Sequence, residues 1–191
     1  YYEAASKQVF ALNGSGRAPM KFDLERLHRE GHDNRIPSGH PFSVTVPGAC
    51  AAWCDLVDRF GRLPLTDVLE PAICLAEEGF PVSPLTAHAW DTCLHNLPKN
   101  LSVGAVFSID GLAPRPGDIF RNPLMAESMR QISECGKDAF YQGKIAEAIT
   151  TALKKRGGVM ELEDLARHTS TWEEPISVQY RNLRIWECPP N

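Results

Sequence analysis

Arg17 leaves a glycine-rich turn, Asn13-Gly14-Ser15-Gly16, and Pro19 stiffens the chain two residues later. Glycine lets a backbone turn sharply and present N–H groups toward an anion. A guanidinium adds a planar, two-pronged donor that matches a carboxylate. The segment therefore reads as a candidate carboxylate clamp centred on Arg17. A plain structural turn with an exposed arginine fits the same residues, because glycine-rich turns are common.

Other reactive patterns fall short. Ser15 lies between two glycines, but Asn13 stands where a G-x-S-x-G elbow needs glycine. Gly14-Ser15-Gly16-Arg17-Ala18-Pro19 ends on proline and no helix opens at once, so a dinucleotide fingerprint is incomplete. His28 and His32 are four apart with Gly31 between them, and His40, His88, His95 and His168 are scattered. Zinc needs three or four convergent ligands, so neither a metal site nor a cofactor is expected. Glu77-Glu78 and Glu173-Glu174 are adjacent pairs, which do not face one another on a helix or a strand. Lys154-Lys155-Arg156 falls in the last turn of a predicted helix, where the dipole favours cations. The cysteines at 50, 54, 74, 93, 135 and 188 include no C-x-x-C pair. They are expected to be free thiols, mostly buried on helices, which suits a reducing compartment without fixing one.

The elements that must position Arg17 are legible from period and punctuation. Residues 1–5 and 8–13 read as two strands around Ser6-Lys7, and Val9-Phe10-Ala11-Leu12 suits a strand buried on both faces. A short helix is expected over residues 22–30, then a polar loop to Pro41. Ala49, Trp53, Leu56, Val57 and Phe60 form one apolar stripe of a helix, ended by a left-handed cap at Gly61. A helix from about Thr66 to Glu78 contains Pro71, which should kink it or mark its first turn. Ser83-Pro84 and Asn122-Pro123 each read as a cap followed by a first helical proline. Met125, Met129 and Ile132 should share one face, as should Ile145, Ile149, Ala152 and Leu153. A short helix near Glu161–Ala166 follows. Ile176, Val178 and Tyr180, then Leu183 and Ile185, alternate around Arg181-Asn182, a tight hairpin in which Asn182 tolerates the left-handed conformation.

Composition narrows the classes. In 191 residues, 43% are apolar and 23% charged, close to ordinary globular values, so disorder and disulfide scaffolds are excluded. Lys+Arg is 20 against 24 Asp+Glu, a net charge of -4, so a nucleic-acid partner is not expected. No run approaches the roughly 18 apolar residues of a membrane span. The chain opens on Tyr1 and closes on Pro189-Pro190-Asn191, and is read as an excerpt of a longer polypeptide.

A series of stretches then runs in order along nearly the whole chain. They are Asn13-Gly-Ser-Gly-Arg-Ala-Pro19, Ser43-Val-Thr-Val-Pro-Gly48, Arg59-Phe-Gly-Arg-Leu-Pro-Leu65 and Leu75-Ala-Glu-Glu-Gly-Phe-Pro-Val82. Next come Pro116-Gly-Asp-Ile-Phe-Arg-Asn-Pro123, Asp138-Ala-Phe-Tyr-Gln-Gly143, Gly157-Gly158 with Glu163-Asp-Leu-Ala166, Pro175-Ile-Ser-Val-Gln-Tyr-Arg181 and Pro189-Pro190. Together they resemble the large-subunit part of the gamma-glutamyltranspeptidase family, in the N-terminal-nucleophile hydrolase superfamily. The resemblance implies an α+β fold, part of a four-layer α/β/β/α sandwich, helix-rich with bracketing strands. Residues 1–191 would be a single incomplete domain of it. It also implies an inactive precursor that cuts itself and frees a Thr at the start of a small subunit. That hydroxyl is the nucleophile, with its own α-amino group as base.

On this resemblance no residue of this chain is catalytic, and the small subunit is the partner that brings the Thr. Arg17 lies in the stretch whose arginine holds the α-carboxylate of the glutamyl donor, so Arg17 is the expected substrate-binding residue for a small γ-glutamyl-type molecule. Gly14, Ser15 and Gly16 shape the loop. The well-known transpeptidases usually carry Glu after that arginine, in a stretch that starts with Asp, whereas Ala18-Pro19 follows Arg17 directly here. Branches of this form resemble hydrolases of other small acyl-amides, including oxamate-type and glutaryl-type substrates. An amidohydrolase or acylase of the same family and a non-catalytic helical scaffold therefore both remain open, as does a metal or thiol enzyme built on the His and Cys residues. Thr45, Thr66 and Thr86 are internal and carry no free amine. The 191-residue chain alone is expected to leave a γ-glutamyl anilide intact; release of the aniline by the purified chain would contradict the reading.

Overall fold

The computed structural model describes residues 1–37, 39–96 and 103–190. Three short strands open the chain: β1 (Tyr2–Glu3), β2 (Gln8–Val9) and β3 (Ala11–Asn13). The aspartate Asp23 caps α1 (Leu24–Arg29) by accepting the Arg26 N–H. A 3-10 turn at Pro41–Ser43 precedes α2 (Ala49–Phe60), and α3 (Leu65–Glu78) carries Pro71 in its interior, so that proline does not mark its start. Then come β4 (Phe80–Pro81), α4 (Pro84–Asn96), α5 (Val103–Val106), β5 (Ile119–Phe120) and α6 (Pro123–Cys135). Ser83 Oγ accepts the Thr86 N–H at 3.2 Å and Asn122 Oδ1 accepts the Met125 N–H at 3.1 Å, so both expected caps form. The chain ends with α7 (Lys137–Tyr141), α8 (Lys144–Lys154), α9 (Leu162–Ala166), β6 (Thr171–Glu173), β7 (Ile176–Tyr180) and β8 (Leu183–Glu187).

The chain divides into two compact units, Leu63–Cys135 and the remainder, Tyr1–Arg62 with Gly136–Asn191. In the first, α3 lies along α6 and an Arg130–Glu77 ion pair at 2.8 Å joins them. Strands β4 and β5 pair antiparallel, Phe80 opposite Phe120. Phe80, Trp90, Phe107 and Ile109 pack around buried Val82, Ala87 and Phe120. The Trp90 indole N–H donates to the Phe107 carbonyl at 2.9 Å, which satisfies the polar end of the largest ring.

The second unit holds Arg17. Strand β3 pairs antiparallel with β6 in the register Ala11 to Glu173, Leu12 to Trp172 and Asn13 to Thr171. The Arg59 guanidinium from α2 sits over Trp172 at 4.1 Å and over Phe10 at 5.1 Å, so a cation–π contact ties that helix to the strands. Leu27, Phe42, Val46, Cys50, Ala51, Ala146, Met160 and Leu165 are buried. Tyr141 on α7 is buried among them; its hydroxyl donates to the Pro47 carbonyl at 2.7 Å and accepts from the Ala51 N–H at 3.1 Å. One phenol thereby fixes the entry of α2.

Several expected faces differ from those observed. On α2 the buried residues are Cys50 and Ala51, whereas Trp53 and Leu56 are 48% and 37% exposed. Trp53 and Leu56 of that stripe instead line an open groove of about 330 Å³ with Phe10, Leu12 and Trp186, while Phe60 packs against Tyr1, Phe10 and Trp172. On α6 Ala126 and Ile132 are buried and Met125 is exposed; on α8 Ala146 and Thr150 are buried and Ala152 is exposed. Thr150 can occupy the core because its hydroxyl donates to the Ala146 carbonyl at 3.0 Å. Around β3 only Ala11 is buried, and Val9, Phe10 and Leu12 are half-buried, because a single strand, β6, pairs with β3. All of β7 and β8 is exposed. Their hairpin turn takes its left-handed residue at Arg181, φ 54°, not at Asn182. Gly61 caps α2 in an extended conformation, φ −64°, not a left-handed one, and glycine is required there because a Cβ would stand 2.3 Å from the Val57 carbonyl oxygen. The six cysteines are free, but Cys93, Cys135 and Cys188 are exposed rather than buried. Tyr141→Phe removes the hydroxyl that joins Pro47 to Ala51 and is expected to cost about 1–3 kcal/mol. Urea denaturation of the full-length protein measures it.

Candidate carboxylate-binding site

The glycines before Arg17 are required by contact. Neither Gly14 nor Gly16 has a positive φ. A Cβ at Gly16 would stand 1.5 Å from the Val46 carbonyl oxygen, and one at Gly14 would stand 2.6 Å from the Ala52 Cβ. Opposite them, a Cβ at Gly48 would stand 1.8 Å from the Gly14 oxygen. The two backbones therefore lie against each other with no side chain between them. The Val46 N–H donates to the Arg17 carbonyl at 3.0 Å and continues the contact. This differs from the expected cradle of free N–H groups, because the Ser15 N–H is already donated to Asn13 Oδ1 at 2.9 Å.

Arg17 emerges from this strip on the wall of a cavity of about 390 Å³. It is exposed, and its guanidinium makes no hydrogen bond or ion pair among the described residues. The cavity is shared with Met20, Asp164, Arg167 and His168. Asp164 is 8% exposed and accepts the Met20 N–H at 2.8 Å and the Glu161 N–H at 2.8 Å, the latter closing a capping box on α9. Arg167 is held by Glu163 at 2.6 Å and reaches the Met20 sulfur at 3.5 Å. Arg17 is thus the cation of this cavity that no carboxylate of the described residues neutralises. An arriving carboxylate would find a planar donor pair with no competing anion bound to it.

His168 forms the floor. Its ring stacks on Tyr141 with centroids 5.2 Å apart, and its Nε2 is buried without a hydrogen-bond partner among the described residues. Burial pushes its pKa down, the Gly48 backbone opposes that shift, and the nearby Arg17 and Lys137 charges add to it. The ring is therefore neutral at pH 7. Sequence reasoning missed Asp164, Arg167 and His168. The Glu161-x-x-Asp164 spacing was a cap signal that could have flagged the first; the histidine carried no local signal.

The remaining sequence candidates lie elsewhere. His28 pairs with Asp33 at 3.1 Å instead of sharing a ligand set with His32. Glu30, His32 and His40 do converge, with ligand atoms within 4.8 Å of one another. Their chemistry opposes a metal, since His40 Nδ1 already accepts the Phe42 N–H at 3.2 Å, which leaves the proton on Nε2, 3.5 Å from Glu30. The other Glu30 oxygen is taken by Arg26 at 2.8 Å. The Cys50 thiol is held protonated by its hydrogen bond with Cys54 and by burial. Among the described residues no helix is long and apolar enough to cross a membrane.

The fold has close counterparts among solved structures. Cephalosporin acylase from Bacillus halodurans superposes with a TM-score of 0.90 at 39% identity, over 96% of this chain and 35% of that one. Helicobacter pylori gamma-glutamyltranspeptidase superposes with a TM-score of 0.89 at 29% identity, over 100% of this chain and 55% of that one. These place the fold in the α+β class of N-terminal-nucleophile hydrolases, as part of the four-layer sandwich. The family profile of gamma-glutamyltranspeptidase matches residues 1–191, and the chain belongs to that family. It is 34% identical over 197 residues to the glutathione hydrolase-like YwrD proenzyme of Bacillus subtilis (strain 168), covering 100% of this chain and 36% of the relative. The chain thus spans about a third of that relative's length.

The depressed pKa of His168 has a consequence for stability. Protonation is easier in the unfolded chain, where the ring has its ordinary value of 6.5, than in the fold. Its contribution is full above that value and is lost as pH falls through it toward the folded pKa. His168→Gln is expected to flatten the fall in stability between about pH 7.5 and about pH 5.5, a window that spans the ordinary histidine range. Denaturation midpoints of the full-length protein and the variant at both pH values measure it.

Proposed function

We propose that this chain is the large-subunit portion of a self-processing enzyme of the family. The enzyme transfers or hydrolyses a γ-glutamyl or similar carboxylate-bearing acyl group. An N-terminal Thr, supplied by the small subunit, attacks the acyl carbonyl while its α-amino group takes the hydroxyl proton. The amine leaves with a proton, and water or a second amine then releases the acyl group. Arg17 holds the substrate carboxylate. The observation that carries this reading is the guanidinium on the wall of the 390 Å³ cavity, without a hydrogen bond or ion pair among the described residues, rooted in a strip where two backbones meet without side chains between them. The proenzyme character of the Bacillus subtilis relative supports a processed precursor.

A second reading within the family is an acylase or amidohydrolase of other small acyl-amides. Ala18 in the place after Arg17 and the 39% identity to the cephalosporin acylase favour it. Both readings need a carboxylate on the donor, so Arg17 serves either. Residues 1–191 are then one incomplete domain. The Trp53–Leu56 stripe and the β7–β8 hairpin, apolar and exposed, are the surfaces the small subunit would cover.

A charge-assisted contact of this kind contributes about 1.5–3 kcal/mol. Arg17→Ala in the full-length protein is expected to raise KM for a carboxylate-bearing donor about 10- to 150-fold with a smaller change in kcat. Steady-state kinetics with a γ-glutamyl and a glutaryl anilide measure this and separate the two readings. An unchanged KM for both donors overturns the role of Arg17.

A further inference from the structure

We propose that Asp164 is the positioning residue of the Arg17 clamp, an inference that rests on Arg17 binding the substrate carboxylate. Among the described residues Asp164 has the one charged side chain that is buried. Removing a carboxylate from water is costly unless each oxygen finds donors. Its Oδ2 accepts the Glu161 N–H at 2.8 Å, which a helix cap explains. Its Oδ1 does something a cap does not require: it accepts the Met20 N–H at 2.8 Å, 144 residues away along the chain.

That second bond closes a frame around Arg17. On one side the Arg17 carbonyl is held by the Val46 N–H at 3.0 Å. On the other, buried Pro19 fixes its own φ and Met20 is held by Asp164. The guanidinium is left free while the backbone on both sides of it is pinned, as a preorganised donor requires. Asp164 lines the same cavity as Arg17, yet both its oxygens are engaged by backbone N–H groups. Its oxygens are therefore taken, and it does not compete with an incoming carboxylate for the guanidinium. The neighbouring acids are engaged too, Glu161 at the N-cap of α9 by Lys21 at 2.6 Å and Glu163 on α9 by Arg167 at 2.6 Å.

The test compares Asp164→Asn, Arg17→Ala and the double variant in the full-length, self-processed protein. Each is assayed on a carboxylate-bearing anilide donor and on the same donor with a neutral amide in place of that carboxylate. Asp164→Asn keeps the shape of the side chain but presents an NH₂ to one of the two N–H donors. It is expected to raise KM for the carboxylate donor about tenfold, with kcat within about twofold and the neutral donor unaffected. In the Arg17→Ala background the same substitution is expected to add less than about twofold, because coupled residues are non-additive. An equal KM effect on both donors, or a full effect in the Arg17→Ala background, overturns the proposal, since Asp164 would then serve the fold alone. An unchanged KM in Arg17→Ala overturns the clamp and this role with it. A raised KM there with no effect of Asp164→Asn overturns this role only. If Asp164→Asn matures poorly, Asp164→Ser is measured in the same way, and failure of both variants to mature also overturns the proposal.

Discussion

The contact of bare backbone at Gly14–Gly16 against Val46–Gly48 is the constraint on which the rest of the site depends. Three glycines without Cβ atoms let the strips meet at distances that any side chain would prevent. The contact fixes the root of Arg17, because Val46 both blocks Gly16 and donates to the Arg17 carbonyl. It also fixes α2, since the same strip runs through Pro47 and Gly48 into the helix, where the Tyr141 hydroxyl bridges Pro47 and Ala51. The floor belongs to the same assembly: the His168 ring lies close to Gly48 and is stacked on Tyr141. Rigidity is thus concentrated beneath the cavity, and freedom is left to one guanidinium at its edge.

Apolar surface is distributed in the opposite way. Trp53 and Leu56 of α2 and both strands of the β7–β8 hairpin are exposed, and a groove runs between Trp53, Leu56 and Trp186. Single exposed hydrophobic residues are ordinary on a protein surface, but contiguous ones mark a face made for contact. The chain spans about a third of the length of its Bacillus subtilis relative.

Much of this architecture was legible in the sequence, and the failures have physical causes. Helix starts at Ser83-Pro84 and Asn122-Pro123 follow from side chains that satisfy local N–H groups, which no tertiary contact overrides. Arg17 stood out in the sequence because glycines and a proline bracket it. Burial of α2 was not, because the moment of a helix says which face is apolar and not whether anything covers it. Cys50 and Ala51 are buried there by Tyr141, a residue 90 positions away from Ala51. The glycine turn was read as an anion cradle because glycine signals freedom and close approach alike, and only the position of Val46 separates the two. Asp164 and His168 reach the cavity through contacts across more than a hundred residues, which periodicity cannot register.

Pairing of β3 with β6 joins residues 11–13 to residues 171–173. The loop between them holds nearly the whole chain, and the entropy of closing it must be met before the ladder forms. Nascent chains emerge from their N-terminus at about 5–20 residues per second. The opening strands and the arginine that follows them therefore wait on the ribosome for their partners to be made. Local helices such as α3 and α6 can settle meanwhile, so the cavity beside Arg17 is among the last parts of this molecule to acquire its shape.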